Sequence, residues 1–361
     1  MGQGPTPRAS VGAIDAYVPG ASGAGEHPDP LKLSSNENPH GASPSAANAI
    51  AEASADLHRY PAPGHDGLRQ AIGEVQGLDP ARIVCGNGSD ELLTLLALAY
   101  CGEGTELLYP EHGFGMYPIV ARMSGAEPVT APETERHVDV DAMLAAATPR
   151  TRVVMLANPA NPTGSFLPLA EIRRLRDGLP PETLLVLDGA YAEFAEGYDG
   201  GASLVEERED VVMTRTFSKI HGLGGLRVGW CYAPEGVVEA LMRIRPPFNL
   251  STPQMAGAAA AMRDTAWVES CRRDNAEQRA RLRGGLAQLG IACDESHANF
   301  VMARFEGPDA AEAADAALRR AGIVVRKLGS YGFPSALRIT VPDAAGTGRV
   351  LAALQAHMAP A

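Results

Sequence analysis

Cysteine and basic residues are scarce in this 361-residue chain, and the scarcity of each argues against a class of protein. The five cysteines form no Cys-x-x-Cys pair, and their odd number argues against a disulfide framework or a zinc site. Lysine and arginine number 31 against 43 acidic residues, and the net charge of −12 argues against a protein that mainly neutralises nucleic-acid phosphates. We therefore predict reduced thiols, a cytoplasmic location, no metal site and no nucleic-acid partner.

Long hydrophobic runs are also missing from the sequence. No stretch approaches the roughly 18 uninterrupted apolar residues of a membrane span, and the N-terminus MGQGPTPRAS lacks the apolar core of a secretory signal. The composition is that of an ordinary globular protein, with 45% apolar and 20% charged residues. At about 100–200 residues per domain, the length predicts two structural units with a large buried core and no membrane partner.

Short apolar runs alternate with helical patterns from residue 46 onward. Each run has the length and composition of a strand that helices cover on both faces, which predicts an α/β fold with a mostly parallel central sheet. We place an N-terminal arm at 1–45, a large domain at 46–255 and a smaller α+β domain, to which the arm contributes, at 256–361. The predicted strands are Arg82–Cys85, Glu106–Tyr109, Glu127–Thr130, Arg152–Ala157, Thr183–Leu187, Val211–Thr214 and Val228–Tyr232.

Polar segments follow several of these strands, where ligands of open α/β sheets bind. Gly86-Asn87-Gly88-Ser89-Asp90 opens a predicted helix, whose first N–H groups attract anions such as phosphate. Asn161 follows the predicted strand Arg152–Ala157 and lies between Pro159 and Pro162, which keep this segment from being helical. A capped helix start and a plain turn explain these two segments equally well, so neither identifies a ligand by itself.

Two further strands end on ionisable residues. Asp188 comes directly after an apolar strand, where a carboxylate is costly unless a partner compensates for its burial. Lys219 follows another strand between hydroxyl side chains, with Arg227 eight residues on. A desolvated lysine has a lowered pKa and forms Schiff bases, while hydroxyls and an arginine fork bind phosphate. One ligand accounts for a phosphate site, an amine and a carboxylate together, and that ligand is pyridoxal phosphate.

The ordered motifs resemble those of fold-type-I pyridoxal-phosphate aminotransferases, and most closely those of the histidinol-phosphate aminotransferase family. The similarity runs from about residue 10 to the C-terminus. The motifs are Ser34-Ser35-Asn36-Glu37-Asn38-Pro39, Arg59-Tyr60-Pro61, Asn161-Pro162-Thr163-Gly164, Asp188 with Tyr191, Ser218-Lys219, Gly225-Leu226-Arg227 and Leu337-Arg338-Ile339-Thr340.

The resemblance implies catalytic roles for the matching positions. Lys219 would hold the cofactor as a Schiff base and then shuttle a proton between the substrate Cα and C4′ of the cofactor. Asp188 would pair with the pyridine nitrogen, Asn161 and Tyr191 would bind the ring 3′-oxygen, and Phe114 would stack on the ring.

The resemblance also implies how the two phosphates and the carboxylates are held. The cofactor phosphate would be bound by Ser89, Asp90, Thr216, Ser218 and Arg227. Tyr60 would reach that phosphate from the neighbouring subunit, so a homodimer is expected. Tyr17, Asn161, Arg326 and Arg338 would bind the substrate.

The implied function is amino transfer between histidinol phosphate plus 2-oxoglutarate and imidazole acetol phosphate plus glutamate. An aromatic amino acid aminotransferase for phenylalanine or tyrosine is the main alternative, and a phosphothreonine decarboxylase is a remote one. A non-enzymatic regulator would need an additional N-terminal helical domain. One position departs from the family, because Gly189 stands where Asp-Glu-Ala-Tyr usually has its glutamate.

Overall fold

The computed structural model describes residues 4–21, 23 and 27–358, with fifteen strands among them. The strands are β1 (Leu31–Lys32), β2 (Ile83–Gly86), β3 (Glu106–Pro110), β4 (Glu127–Ala131), β5 (Glu133–Thr134), β6 (His137–Val138), β7 (Thr151–Ala157), β8 (Leu184–Asp188), β9 (Val211–Thr216), β10 (Gly229–Tyr232), β11 (Ala292–Cys293), β12 (Phe300–Arg304), β13 (Ile323–Val324), β14 (Arg326–Leu328) and β15 (Phe333–Thr340).

Helices separate most of these strands, and none in the described part of the chain is long and apolar enough to cross a membrane. The helices are α1 (Ala9–Gly12), α2 (Pro44–Ala53), α3 (Asp66–Gln76), α4 (Ser89–Tyr100), α5 (Met116–Ser124), α6 (Val140–Ala146), α7 (Leu169–Gly178), α8 (Ala202–Glu207), α9 (Glu235–Ile244), α10 (Thr252–Arg263), α11 (Thr265–Gln288), α12 (Pro308–Arg320) and α13 (Ala344–Met358).

A seven-stranded sheet in the order β2-β10-β9-β8-β7-β3-β4 forms the centre of the large unit. All of its strands run parallel except β10, which is antiparallel to both β2 and β9. The seven apolar runs expected from the sequence are its seven strands, so the prediction of a mostly parallel α/β sheet is confirmed. The observed strand ends differ from the predicted ends by one or two residues. Strand β9, for example, continues to Thr216.

Both faces of this sheet are buried, as continuous apolar runs require. Because side chains alternate along a strand, Leu156 and Leu187 join one hydrophobic core while Met155 and Val186 join the core on the opposite face. Two layers of helices therefore cover the sheet, and the polar residues beyond the strand ends remain at its carboxyl edge.

The smaller unit is a four-stranded antiparallel sheet in the order β11-β12-β15-β14, packed against the helices α11 to α13. The arm contacts this unit, because β1 pairs in parallel with β13. The predicted boundary, residue 255, lies inside α10, which packs on α2 and α3 and buries Ala258 and Ala261 in the large core.

Candidate active site

A cavity of about 270 Å³ lies at the carboxyl ends of β7, β8 and β9. Every residue predicted to bind cofactor or substrate lines it, with the exception of Tyr60. Its walls are Tyr17, Pro19, Gly20, Ser34, Ser35, Asn36, Ser89, Asp90, Phe114, Ala157, Asn161, Asp188, Ala190, Tyr191, Thr216, Ser218, Lys219, Arg227, Arg326 and Arg338.

One end of the cavity is a cup of anion-binding groups. Ser89 is the first residue of the 12-residue helix α4, whose unpaired N–H groups carry partial positive charge. The Arg227 guanidinium donates to the Ser218 hydroxyl over 3.2 Å and to an Asp90 carboxylate oxygen over 3.2 Å. The carboxylate thus orients the arginine, and the backbone N–H of Asp90 lies in the first turn of α4. Thr216 lines the same end.

Two glycines allow this cup to close. Gly88 has a φ of +84°, and a Cβ there would lie 2.7 Å from an Arg227 guanidinium nitrogen. A Cβ on Gly229 would overlap the backbone nitrogen of Ser89. A side chain at either position would displace the helix start or the arginine, so the backbone approach depends on glycine.

Lys219 follows β9 at the centre of the cavity. Its Nζ donates to the backbone oxygen of Ser35 over 3.1 Å and lies 5.7 Å from the centre of the Tyr191 ring. Burial disfavours the ammonium form and nearby Arg338 repels it, which lowers the pKa of Lys219 to about 8. A substantial fraction of the amine is therefore neutral and nucleophilic near pH 8.

Asp188 is the last residue of β8 and is 5% exposed. Burial raises its pKa to about 6, although a hydrogen bond from Tyr117 opposes the shift. The Tyr117 hydroxyl donates to Asp188 Oδ2 over 2.9 Å, and the Ala190 N–H donates to Oδ1 over 3.2 Å. Tyr117 has no role in the sequence prediction, because only the packing of α5 brings it to the carboxylate.

Arg338 and Asn161 meet at the substrate side of the cavity. Arg338 Nη1 donates to Asn161 Oδ1 over 2.5 Å, and Nη2 donates to the Ser34 backbone oxygen over 2.9 Å. The Tyr191 hydroxyl accepts a hydrogen bond of 2.8 Å from Asn36, which has a φ of +58°. Asn36 belongs to one of the motifs quoted above, but its contact with Tyr191 could not be predicted from the sequence, because the two residues are 155 positions apart.

Arg326 and Tyr17 lie at the mouth of the cavity. Arg326 directly opposes Arg338 across the β14–β15 pair and donates to the Val18 backbone oxygen over 2.9 Å. Tyr17 is 45% exposed, and its ring contacts Phe114 edge-on with 6.2 Å between ring centres. An adjoining cavity of about 520 Å³ shares both Tyr17 and Arg326.

Tyr60 lies outside the cavity of its own chain. It is 84% exposed and stacks on Phe248, with ring centres 4.8 Å apart. Tyr60 is therefore not part of the cavity wall formed by its own chain.

The glycine that departs from the family pattern has a steric explanation. A Cβ at Gly189 would lie 3.0 Å from both Arg215 Cδ and the Thr214 backbone oxygen. Arg215 is buried there, with its guanidinium 2.9 Å from Glu193. The arginine side chain fills the space that a longer residue 189 would need, while the neighbouring Asp188 and Tyr191 keep their positions in the cavity.

Comparison with known proteins agrees with this geometry. The family described as aminotransferase class I and II matches residues 28–354. The curated histidinol-phosphate aminotransferase of Roseobacter denitrificans is 61% identical over 341 residues, covering 94% of this chain and 95% of the relative. That of a Jannaschia species is 57% identical and covers 98% of each chain.

A solved structure is similar over the same extent. The histidinol-phosphate aminotransferase from Sinorhizobium meliloti, crystallised in complex with pyridoxal-5′-phosphate, is 30% identical, with a TM-score of 0.86. The alignment covers 91% of this chain and 90% of that one. With the lysine, carboxylate and arginine of its cavity in the expected order, the chain belongs to the class I and II aminotransferases, within the histidinol-phosphate aminotransferase family.

Proposed function

We propose that this protein is a pyridoxal-phosphate enzyme of histidine biosynthesis. It transfers an amino group between histidinol phosphate plus 2-oxoglutarate and imidazole acetol phosphate plus glutamate. The observation that carries the substrate assignment is the pair Arg326 and Arg338, opposed across β14 and β15 at one cavity. Like charges directly opposite on a sheet destabilise it, so this pair favours an anionic substrate group between them.

The residues present fit pyridoxal phosphate. The cup formed by the start of α4 and Arg227 suits its phosphate, and Lys219 suits its aldehyde. Buried Asp188 accepts hydrogen bonds from Tyr117 and the Ala190 N–H, and a protonated pyridine nitrogen would add a cation beside its carboxylate. Phe114 lines the same cavity and offers an aromatic face. When bound, the cofactor provides an aldehyde that exchanges with amino groups and a ring that accepts the electron pair left at Cα.

Lys219 moves the proton in this scheme. In its neutral form, Nζ would accept a proton from the substrate Cα and deliver it to the cofactor carbon that carried the aldehyde, and the lowered pKa keeps that form available near pH 8. The Ser35 backbone oxygen, 3.1 Å away, holds the amine at the cavity centre. A general base of this kind contributes roughly 10²–10⁴-fold to rate.

Asp188 supplies a negative charge where the nitrogen of the cofactor ring would lie. Its carboxylate, fixed by Tyr117 and the Ala190 N–H, stabilises a proton on the ring nitrogen. A cation beside Asp188 would in turn lower its pKa from about 6 and keep it ionised. The carboxylate and the proton therefore stabilise each other.

Two features support a homodimer located in the cytoplasm. Tyr60 and Phe248 expose a stacked aromatic pair outside the cavity, as expected if Tyr60 reaches the phosphate cup of a second subunit. The five cysteines are free thiols, which is typical of a reducing compartment.

The substrate assignment is tested with the purified holoenzyme and three compounds, which are histidinol phosphate, phenylalanine and phosphothreonine. We expect kcat/KM for histidinol phosphate to exceed that for phenylalanine by about a hundredfold or more, because the opposed arginines are otherwise left without an anion of matching charge. Glutamate formation from 2-oxoglutarate is the readout. A higher kcat/KM for phenylalanine would support the aromatic alternative, and carbon dioxide release from phosphothreonine without a keto-acid product would support the decarboxylase.

A further inference from the structure

The two substrate arginines are carried by one hairpin, and its turn contains a tyrosine. Arg326 begins β14, Arg338 lies in β15, and the 3₁₀ turn Gly329–Tyr331 joins the strands. Gly332 follows with a φ of +83°, a left-handed conformation that glycine adopts easily. The hairpin therefore fixes the position of Tyr331 relative to both arginines.

The Tyr331 hydroxyl lies beside Tyr17 at the boundary between the two cavities. A Cβ on Gly115 would be 3.8 Å from the Tyr331 hydroxyl oxygen and 3.6 Å from Tyr17 Cε2, so both rings converge on this glycine. Tyr331 lines the adjoining cavity together with Tyr17 and Arg326. Burial lowers the pKa of Arg338, and the nearby Tyr331 opposes this shift.

The Tyr331 ring is held firmly while its hydroxyl has no protein partner in the described part of the chain. The residue is 9% exposed and packs with Met302 and Leu328. Its backbone oxygen accepts a 2.7 Å hydrogen bond from His112, whose ring lies 4.0 Å from that of Phe333. A pre-positioned hydroxyl without a partner is suited to bind a ligand, because no protein hydrogen bond must first be broken.

We propose that the Tyr331 hydroxyl donates a hydrogen bond to the substrate phosphate, beside Tyr17 and Arg326, and so contributes to selection of the phosphorylated substrate. This inference rests on the proposed function. A phosphate has more acceptor oxygens than a carboxylate, and the two arginines do not satisfy all of them. The tyrosine adds a neutral donor without adding another positive charge beside Arg326 and Arg338.

The experiment compares histidinol phosphate with histidinol, which lacks the phosphate, in wild type and in Tyr331→Phe. We expect kcat/KM for histidinol phosphate to fall about tenfold to a hundredfold, mainly through KM, as for loss of a hydrogen bond to a charged group. Turnover of histidinol should change less than about twofold. Tyr109→Phe is the matched control, since that buried tyrosine lines the same adjoining cavity and its hydroxyl lies near Arg122 and Glu127 instead.

A spectroscopic titration gives an independent readout. The absorbance of the bound cofactor is followed as histidinol phosphate is added without 2-oxoglutarate, and the apparent dissociation constant should rise in Tyr331→Phe by the same factor as KM. An equal loss with both substrates, or no loss with either, would overturn the role of Tyr331. Failure of the wild type to use histidinol phosphate would instead overturn the proposed function, and the Tyr331 assignment with it.

Discussion

Lys219 and Asp188 carry opposite pKa shifts that have one cause. Burial in the same cavity disfavours the charged form of each, lowering the pKa of the amine to about 8 and raising that of the carboxyl to about 6. Both groups are charged between those pH values, and burial makes each charge cost folding free energy that a ligand of opposite charge would offset. The cavity therefore gives up some stability for a site in which a cofactor with a ring cation and an aldehyde binds well.

Replacement of Lys219 tests the central residue. Lys219→Ala should remove the visible absorbance of the lysine-bound cofactor and lower turnover by at least about 10³-fold, because both the nucleophile and the proton carrier are lost. Absorbance spectra and glutamate formation measure these effects. Lys327→Ala is the control, since that lysine pairs with Glu312 at the surface over 3.0 Å and should change neither property. Full activity in Lys219→Ala would refute the site.

Replacement of Asp188 by asparagine should produce opposite changes in activity and stability. Turnover should fall about a hundredfold or more, because the charge that holds a proton on the ring nitrogen is gone. The cofactor-free variant should nevertheless be more stable than cofactor-free wild type at pH 7.5, by up to ~3 kcal/mol for a pKa raised by about two units.

The sign of this stability change follows from the protonation of Asp188. Its folded-state pKa of about 6 exceeds the ordinary 3.8, so the folded protein binds more protons between these values and loses stability as pH rises through them. The gain in Asp188→Asn should therefore be small at pH 4 and nearly complete above pH 6. Unfolding midpoints at pH 4 and 7.5 measure it, and a gain independent of pH would contradict the assigned pKa.

At the scale of elements, the phosphate cup depends on how closely β10 approaches the start of α4. Gly229 begins β10 and packs against the backbone of Ser89, with no room for a Cβ. Gly229→Ala should therefore displace the helix start, lower the unfolding midpoint and weaken cofactor binding by about tenfold or more. Thermal unfolding and cofactor titration measure both effects.

Gly236→Ala provides the matched control for this prediction. Gly236 lies in the first turn of α9, and a Cβ there would meet no atom of the described residues within 4 Å. Alanine has the higher helix propensity, so stability should be unchanged or rise by up to ~1 kcal/mol. Equal behaviour of the two variants would show that the close approach at Gly229 is unimportant.

Element types were predictable because they follow from local sequence. Continuous apolar runs of four to six residues identified all seven strands of the large sheet, since a buried parallel strand needs apolar side chains on both faces. Element ends and domain boundaries were less predictable. Nothing in the Ala-rich sequence of α10 indicates which unit it packs against, and the boundary predicted at 255 falls inside this helix.

At the scale of the whole molecule, the proposed homodimer predicts that Tyr60 completes the active site of the neighbouring chain. The prediction is tested by mixing two inactive variants, Lys219→Ala and Tyr60→Ala, under conditions that exchange subunits. A hybrid dimer contains one site with an intact lysine from one chain and an intact tyrosine from the other, so activity should return. Sedimentation confirms the dimer, and no recovery despite hybrid formation would contradict the shared site.

The sequence by itself determined the chemical groups and the order in which they occur. A lysine, a carboxylate and an anion-binding helix start each follow an apolar strand, and parallel strands bring their carboxyl ends to one edge of a sheet. These relations need only the local period of a strand and the direction of the chain. They were enough to predict the cofactor, whereas Phe114, Tyr17 and Arg326 were expected in the cavity only from the resemblance to a known family.

Only the tertiary structure decided which groups contact one another. Tyr117 reaches Asp188 across 71 residues, Arg338 reaches Asn161 across 177, and Tyr331 and Tyr17 both approach Gly115. Such contacts depend on how helices and sheets pack, because no local period relates positions so far apart. The cavity also holds Lys219, Arg227, Arg326 and Arg338 in a chain of net charge −12, so the overall charge excluded one partner while packing created the cationic site.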